Sequence, residues 1–122
     1  MITAIAIQGP DTRLTVMTEF LQVTTATDTR EAAITLARSA IQARLAAGGE
    51  VIGPVASLFW HAGSYGEGEE WKAVLKTTAD KYPELEKHLV ENHPWQNPEV
   101  TAVRLVTGSA PYLEWVHTTT RQ

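Results

Sequence analysis

His93 is the residue of this chain best suited to chemistry, because a neutral imidazole suits copper and zinc and can carry a proton near neutral pH. It stands in Asn92-His93-Pro94, where the competing role is a histidine that ends a helix and bonds a backbone carbonyl. No second histidine or cysteine lies at ligand spacing from it. His61, His88 and His117 are scattered, and His88 is expected to face solvent from a helix. Lys76 ends an otherwise apolar run, AVLK. Its ammonium would either hold a small anion between subunits or pair with a carboxylate such as Glu99. Pairing is the default, since buried charges are almost always paired. Lys76, Glu99 and His93 are expected to lie together at one edge of a sheet.

The remaining reactive side chains do not assemble into a catalytic set. Glu67, Glu69 and Glu70 cluster in a glycine-rich stretch, where solvation is the ordinary explanation. Ser57 and Ser64 have no base within reach that the sequence can identify. Nothing has a glycine-rich loop opening a helix to hold phosphate. The expectation is a protein that is not an enzyme. With no cysteine among its 122 residues, the chain has neither a disulfide framework nor a cysteine-rich zinc site. Trp60, Trp95 and Trp115 are the residues most expected at a protomer interface, with core packing the alternative. For Trp115, at helical spacing from Tyr112, the core role is at least as good.

These side chains must be carried by a definite order of elements. Phe20 to Thr27 reads as a strand, and Asp28 starts a helix in a capping box with Glu31. Ile34, Ala37, Ile41 and Leu45 form the buried stripe of that helix, and Gly48-Gly49 ends it. Val51 to His61 is the second strand, with a bulge or an unpaired edge at Gly53-Pro54. AGSYGEGE reads as a hairpin connection to a third strand, Glu70 to Thr77. Thr78 or Asp80 caps a second helix with Pro83 in its first turn and Tyr82, Leu85 and Leu89 buried. Glu99 to Val106 is the fourth strand, and Ser109 caps a last helix. That order predicts an α+β, ferredoxin-like fold of the split βαβ type: an antiparallel sheet with helices on one face, plus a C-terminal helix. Residues 1–17 read as an N-terminal extension and 18–122 as the domain. MITAIAI would add an edge strand, and Met17 is an alternative start.

Composition limits the partners. The net charge of −4, from 14 acidic and 10 basic residues, has no cationic run or face. That argues against nucleic acid and against an anionic membrane surface. No run approaches the ~20 apolar residues of a membrane span, and the start lacks a signal peptide's basic end. The expected location is the cytoplasm.

Four stretches together carry a resemblance: RLAAGGEVIGPVASLFW, VLKTTADKYPELEKHL, HPWQNPEV and GSAPYLEWV. In their order and spacing, from about Phe20 to Val116, the chain resembles the CutA divalent-cation tolerance family. The resemblance implies a homotrimer with intersubunit clefts similar to those of PII signalling proteins. It also implies a role in tolerance of copper and other divalent cations, with no required cofactor. His93 is the candidate metal ligand; Lys76, Glu99, Trp60 and Trp95 are the candidate cleft residues. The alternative is a structural trimeric scaffold whose intersubunit cleft takes a small anion and has no metal role. Four positions depart from the family pattern: Gly48 replaces a common cysteine, Gln96 a usual acid, Trp95 a usual tyrosine, and His61 the second aromatic at the hairpin tip. The first two remove ligands for a soft or borderline metal. The Val51–His61 strand is long, and its tip, Leu58-Phe59-Trp60, is too apolar for water. It is expected to pair with a neighbouring chain.

Overall fold

In the computed structural model, which describes residues 19–121, β-branched and aromatic side chains build the first strand, β1 (Phe20–Thr27). The expectations for the extension at residues 1–17 lie outside the described residues. After β1 come α1 (Arg30–Gln42), β2 (Gly48–His61), β3 (Ser64–Thr78), α2 (Tyr82–Asn92), β4 (Val100–Arg104) and α3 (Ala110–Thr119). The strands form one antiparallel sheet in the order β2-β3-β1-β4. This is the α+β, ferredoxin-like arrangement that the element order predicts.

Alternation along the strands sorts the two faces. Val23 pairs with Leu75, and both pack against Leu36, Ala37 and Ala40 of α1 and Leu85 and Leu89 of α2. Burying each leucine there contributes about 1.5–3 kcal/mol. Phe20 is out of phase with Val23 and packs with Ala47 under Leu113 and Val116 of α3. The C-terminal helix therefore covers the opposite face, at one end. Trp115 lies over Gly48, where an added Cβ would come 3.0 Å from the indole ring.

Several boundaries differ from the sequence expectations, each for a local reason. Thr29, not Asp28, caps α1: its hydroxyl accepts from the Ala32 N–H at 3.1 Å. The helix ends at Gln42, and Arg44 takes the positive φ of 64°. Gly48 and Gly49 are already in β2. The buried stripe of α1 is Ala33, Leu36, Ala37 and Ala40, so small side chains let the helix sit close to the sheet. The hairpin turns in two residues, Ala62 and Gly63, at φ 50° and 82°. Positive φ at both positions matches strand twist, which lets both strands run to the turn. Gly66 lies inside β3, not in a loop, because the Phe59 ring covers it. As expected, β2 is an edge strand with an irregularity between Ile52 and Val55.

Neither Thr78 nor Asp80 caps α2; they bond each other instead, the Thr78 hydroxyl donating to Asp80 at 2.6 Å. Arg121 grips both Asp80 oxygens at 2.8 Å, tying the C-terminal end of the chain to the β3–α2 turn. Partial burial acts to raise the Asp80 pKa, but the Thr78 hydroxyl and the Arg121 guanidinium outweigh it and hold it below the ordinary value. A depressed carboxylate pKa adds stability above the ordinary carboxylate range, and that stability is lost as pH falls through it. Asp80 is 67% exposed, so screening keeps the effect small. Asp80→Asn should lower the melting temperature by about 2 °C at pH 7 and by nothing at pH 2. Equal losses at both pH values would assign the effect to packing rather than charge.

Candidate functional site

The hairpin of β2 and β3 runs past the sheet as an arm, and a groove of about 770 Å³ opens where it leaves. Phe59, Trp60 and Glu70 line it from the hairpin, and Trp95 and Glu99 from the α2–β4 loop. Ala26 at the end of β1 forms part of its lining.

His93 holds the loop side in place. Only 9% exposed, it caps the C-terminal end of α2. Its Nε2 lies 2.7 Å from the Ala26 carbonyl oxygen, and its Nδ1 accepts from the Trp95 N–H at 3.0 Å. A carbonyl can only accept and an amide N–H can only donate, so these partners fix the neutral tautomer with its proton on Nε2. Both nitrogens are thus engaged, and in this arrangement the ring presents no free lone pair to a metal. Its neighbour Trp95 lies with ring centroids 5.1 Å away.

The five predicted residues do not all meet. Trp60, Trp95 and Glu99 line the groove, and His93 supports it. Lys76 is elsewhere, and its expected pairing with Glu99 is corrected by the strand register. Lys76 lies opposite Gln22, whereas Lys72 lies opposite Ala26. Four residues of strand place Lys76 about 13 Å further along. The partner of Glu99 is Lys72, at 3.7 Å. Lys76 has no ion pair among the described residues.

His88 is also corrected. It does not simply face solvent but meets Ser39 of α1 at 2.8 Å. The Ser39 hydroxyl donates to the Leu36 carbonyl at 2.9 Å, so His88 Nε2–H must be the donor to Ser39. A histidine that donates to the hydroxyl cannot activate it, and the pair serves as a cross-link between the helices. No spacing rule links positions 49 residues apart, so the pair was invisible in the sequence.

The two faces of the arm differ. Trp60 pairs with Tyr65 across the hairpin, edge to face at 5.8 Å, and is 76% exposed. Leu58 shares that face and is exposed too. The Tyr65 hydroxyl donates to Glu67, and that bond, helped by slight burial, raises the phenol pKa.

The described residues of one chain do not by themselves fit a resident divalent metal. Among the described residues no group of three His, Asp or Glu side chains could hold an ion, and His93 is spent on the backbone. No described helix is long and apolar enough to cross a membrane.

The sheet order, the two helices on one face and the projecting hairpin define a ferredoxin-like α+β protein with a cleft beside its arm. Residues 21–119 match the family model of the CutA1 divalent ion tolerance protein, and the chain belongs to that family. It is 30% identical over 90 residues to the divalent-cation tolerance protein CutA of Thermus thermophilus, covering 74% of this chain and 87% of that protein. It is 34% identical over 92 residues to the chloroplastic protein CutA of Arabidopsis thaliana, covering 75% of this chain. The chain spans 50% of the length of that plant relative. The crystal structure of CutA1 from Oryza sativa superposes with a TM-score of 0.81 at 30% identity, covering 85% of this chain and 95% of that one.

Proposed function

We propose that this protein acts in divalent-cation tolerance as a cytoplasmic homotrimer that binds or reports a cation such as copper, in the manner of a PII-like signalling protein and without catalysis. Family membership supports the cation role. The observation that carries the assembly is the arm, whose Leu58, Trp60 and Tyr65 form an apolar face in water. A monomer gains nothing from such a face, whereas a neighbouring chain would bury it. Copper donors scattered in one chain would then be drawn from more than one protomer. In this reading His93 positions the Trp95 loop and is not itself a ligand.

Calorimetric titration of the full chain with Cu(II) tests the cation role. Saturable binding of at most one ion per protomer is expected, and it should persist in His93→Ala. Non-specific precipitation alone would defeat the metal reading, and loss of saturable binding in His93→Ala would return His93 to the ligand set. Lys76, without an ion pair among the described residues, favours one second reading: a trimeric scaffold whose cleft takes a small anion. Phosphate binding abolished by Lys76→Gln, in a protein indifferent to copper, would establish it.

A further inference from the structure

The C-terminal helix α3 is held to the protein differently from α1 and α2. Its Leu113 and Val116 pack on Phe20 and Ala47 in a small cluster, apart from the main core beneath α1 and α2. At ten residues α3 is shorter than the ~12–15 an isolated helix needs in water, and Val116, Thr118 and Thr119 are β-branched. Among the described residues no side chain caps its start at Ser109. His117 has its Nδ1 buried without a hydrogen-bond partner among the described residues, which weakens docking further. Two arginines fasten the far end instead. Arg44, at the turn after α1, donates to the Thr119 carbonyl at 3.3 Å. Arg121, just past the helix, donates to both Asp80 oxygens at 2.8 Å, and the Thr78 hydroxyl bonds the same carboxylate.

We propose that α3 is a latched strap: it lifts off the sheet as one unit while the main core stays closed, and the grip of Arg121 on Asp80 sets how often it does so. Lifting uncovers Phe20, Ala47 and Gly48, an apolar end of the sheet that the closed strap hides. A segment opens alone when its own contacts are few and the rest of the structure does not depend on them. Both conditions hold here. Phe20 stays in the sheet through its pairing with Thr78 and through the Leu105 N–H, which donates to its carbonyl at 2.8 Å. The main core lies on the other face of the sheet. The latch sits at the Thr78 end of β3, whereas the hairpin turns at the Ser64 end. The inference therefore rests on neither the metal role nor the arm.

The chain has no cysteine, so a single introduced thiol reports exposure where it is placed. Ala47→Cys puts one under α3 and Ala40→Cys puts one in the main core, at positions 6% and 0% exposed. Each full-length variant, in its native assembly and without denaturant, is reacted with the aromatic disulfide dithiobis(nitrobenzoate). The Ala47→Cys thiol should react at least about 100-fold faster than the Ala40→Cys thiol. Adding Arg121→Ala should speed the first by about fivefold and leave the second unchanged, and Asp80→Asn should speed the first by about threefold. Equal rates at the two positions, or an Ala47→Cys rate indifferent to both latch variants, would overturn the strap. So would a latch variant that speeds both positions alike, because the chain would then open only as a whole. No metal enters the experiment, so its failure leaves the cation-tolerance reading to its own titration.

Discussion

Trp60→Asp should turn a trimer into free protomers. Light scattering on the purified chain at micromolar concentration is expected to give three times the 13.4 kDa protomer mass for the wild type. The variant is expected to give the protomer mass alone. Trp60 is 76% exposed and meets Tyr65 edge to face across the hairpin, so the substitution removes little from the monomer fold. In the assembly the same side chain would be covered by a neighbour, and a carboxylate placed there is buried without a partner. Loss of a central interface tryptophan costs about 2–4 kcal/mol, and each 1.4 kcal/mol is about tenfold in affinity. A ring of three repeats that loss at every contact. Far-ultraviolet circular dichroism should be unchanged, separating dissociation from unfolding. A wild type with the mass of one protomer would end the proposal, and a trimer indifferent to Trp60→Asp would remove the arm from it.

The apolar tip that makes this prediction was legible in the sequence, as was the element order. Leu85 and Leu89 recur at helical spacing, and Gly53-Pro54 marks an interruption in an edge strand; both are local signals that the tertiary structure keeps. The errors cluster where two local signals compete. Gly48-Gly49 has the composition of a helix end, yet the chain reverses at Arg44, and the glycines are needed in β2, where Trp115 lies over Gly48. AGSYGEGE has the composition of a loop, yet Ala62-Gly63 suffices for the turn and Gly66 serves the Phe59 ring.

The site was legible residue by residue but not as an arrangement. Trp60 comes from the hairpin and Trp95 and Glu99 from the α2–β4 loop, and only the pairing of the strands brings the two segments together. A shift of four residues in that pairing separates Lys72, which meets Glu99, from Lys76, which does not. Both lysines follow apolar or aromatic neighbours, and nothing in their sequence surroundings distinguishes them. Register is a property of the whole sheet.

His93 shows the same limit, and it carries the second large effect. His93→Phe should destabilise the protein by about 2–3 kcal/mol, read as a melting temperature lower by about 10 °C. Phenylalanine keeps the ring and its contact with Trp95 but removes both hydrogen bonds. The Ala26 carbonyl then loses its 2.7 Å donor and the Trp95 N–H its 3.0 Å acceptor. With His93 only 9% exposed, water reaches those groups poorly, and an unpaired buried polar group costs more than the bond it replaced. His93→Gln is the companion variant, because its amide can donate to Ala26 and accept from Trp95, and it should recover part of the loss. Freed from the histidine, the Trp95 loop should also move relative to Ala26, shifting tryptophan emission to longer wavelength. A metal ligand would behave otherwise: its removal would leave the metal-free protein's melting temperature nearly unchanged and alter only the copper titration. If His93→Phe melts within about 2 °C of the wild type without metal, the two hydrogen bonds do not hold the loop, and the imidazole is there for something else.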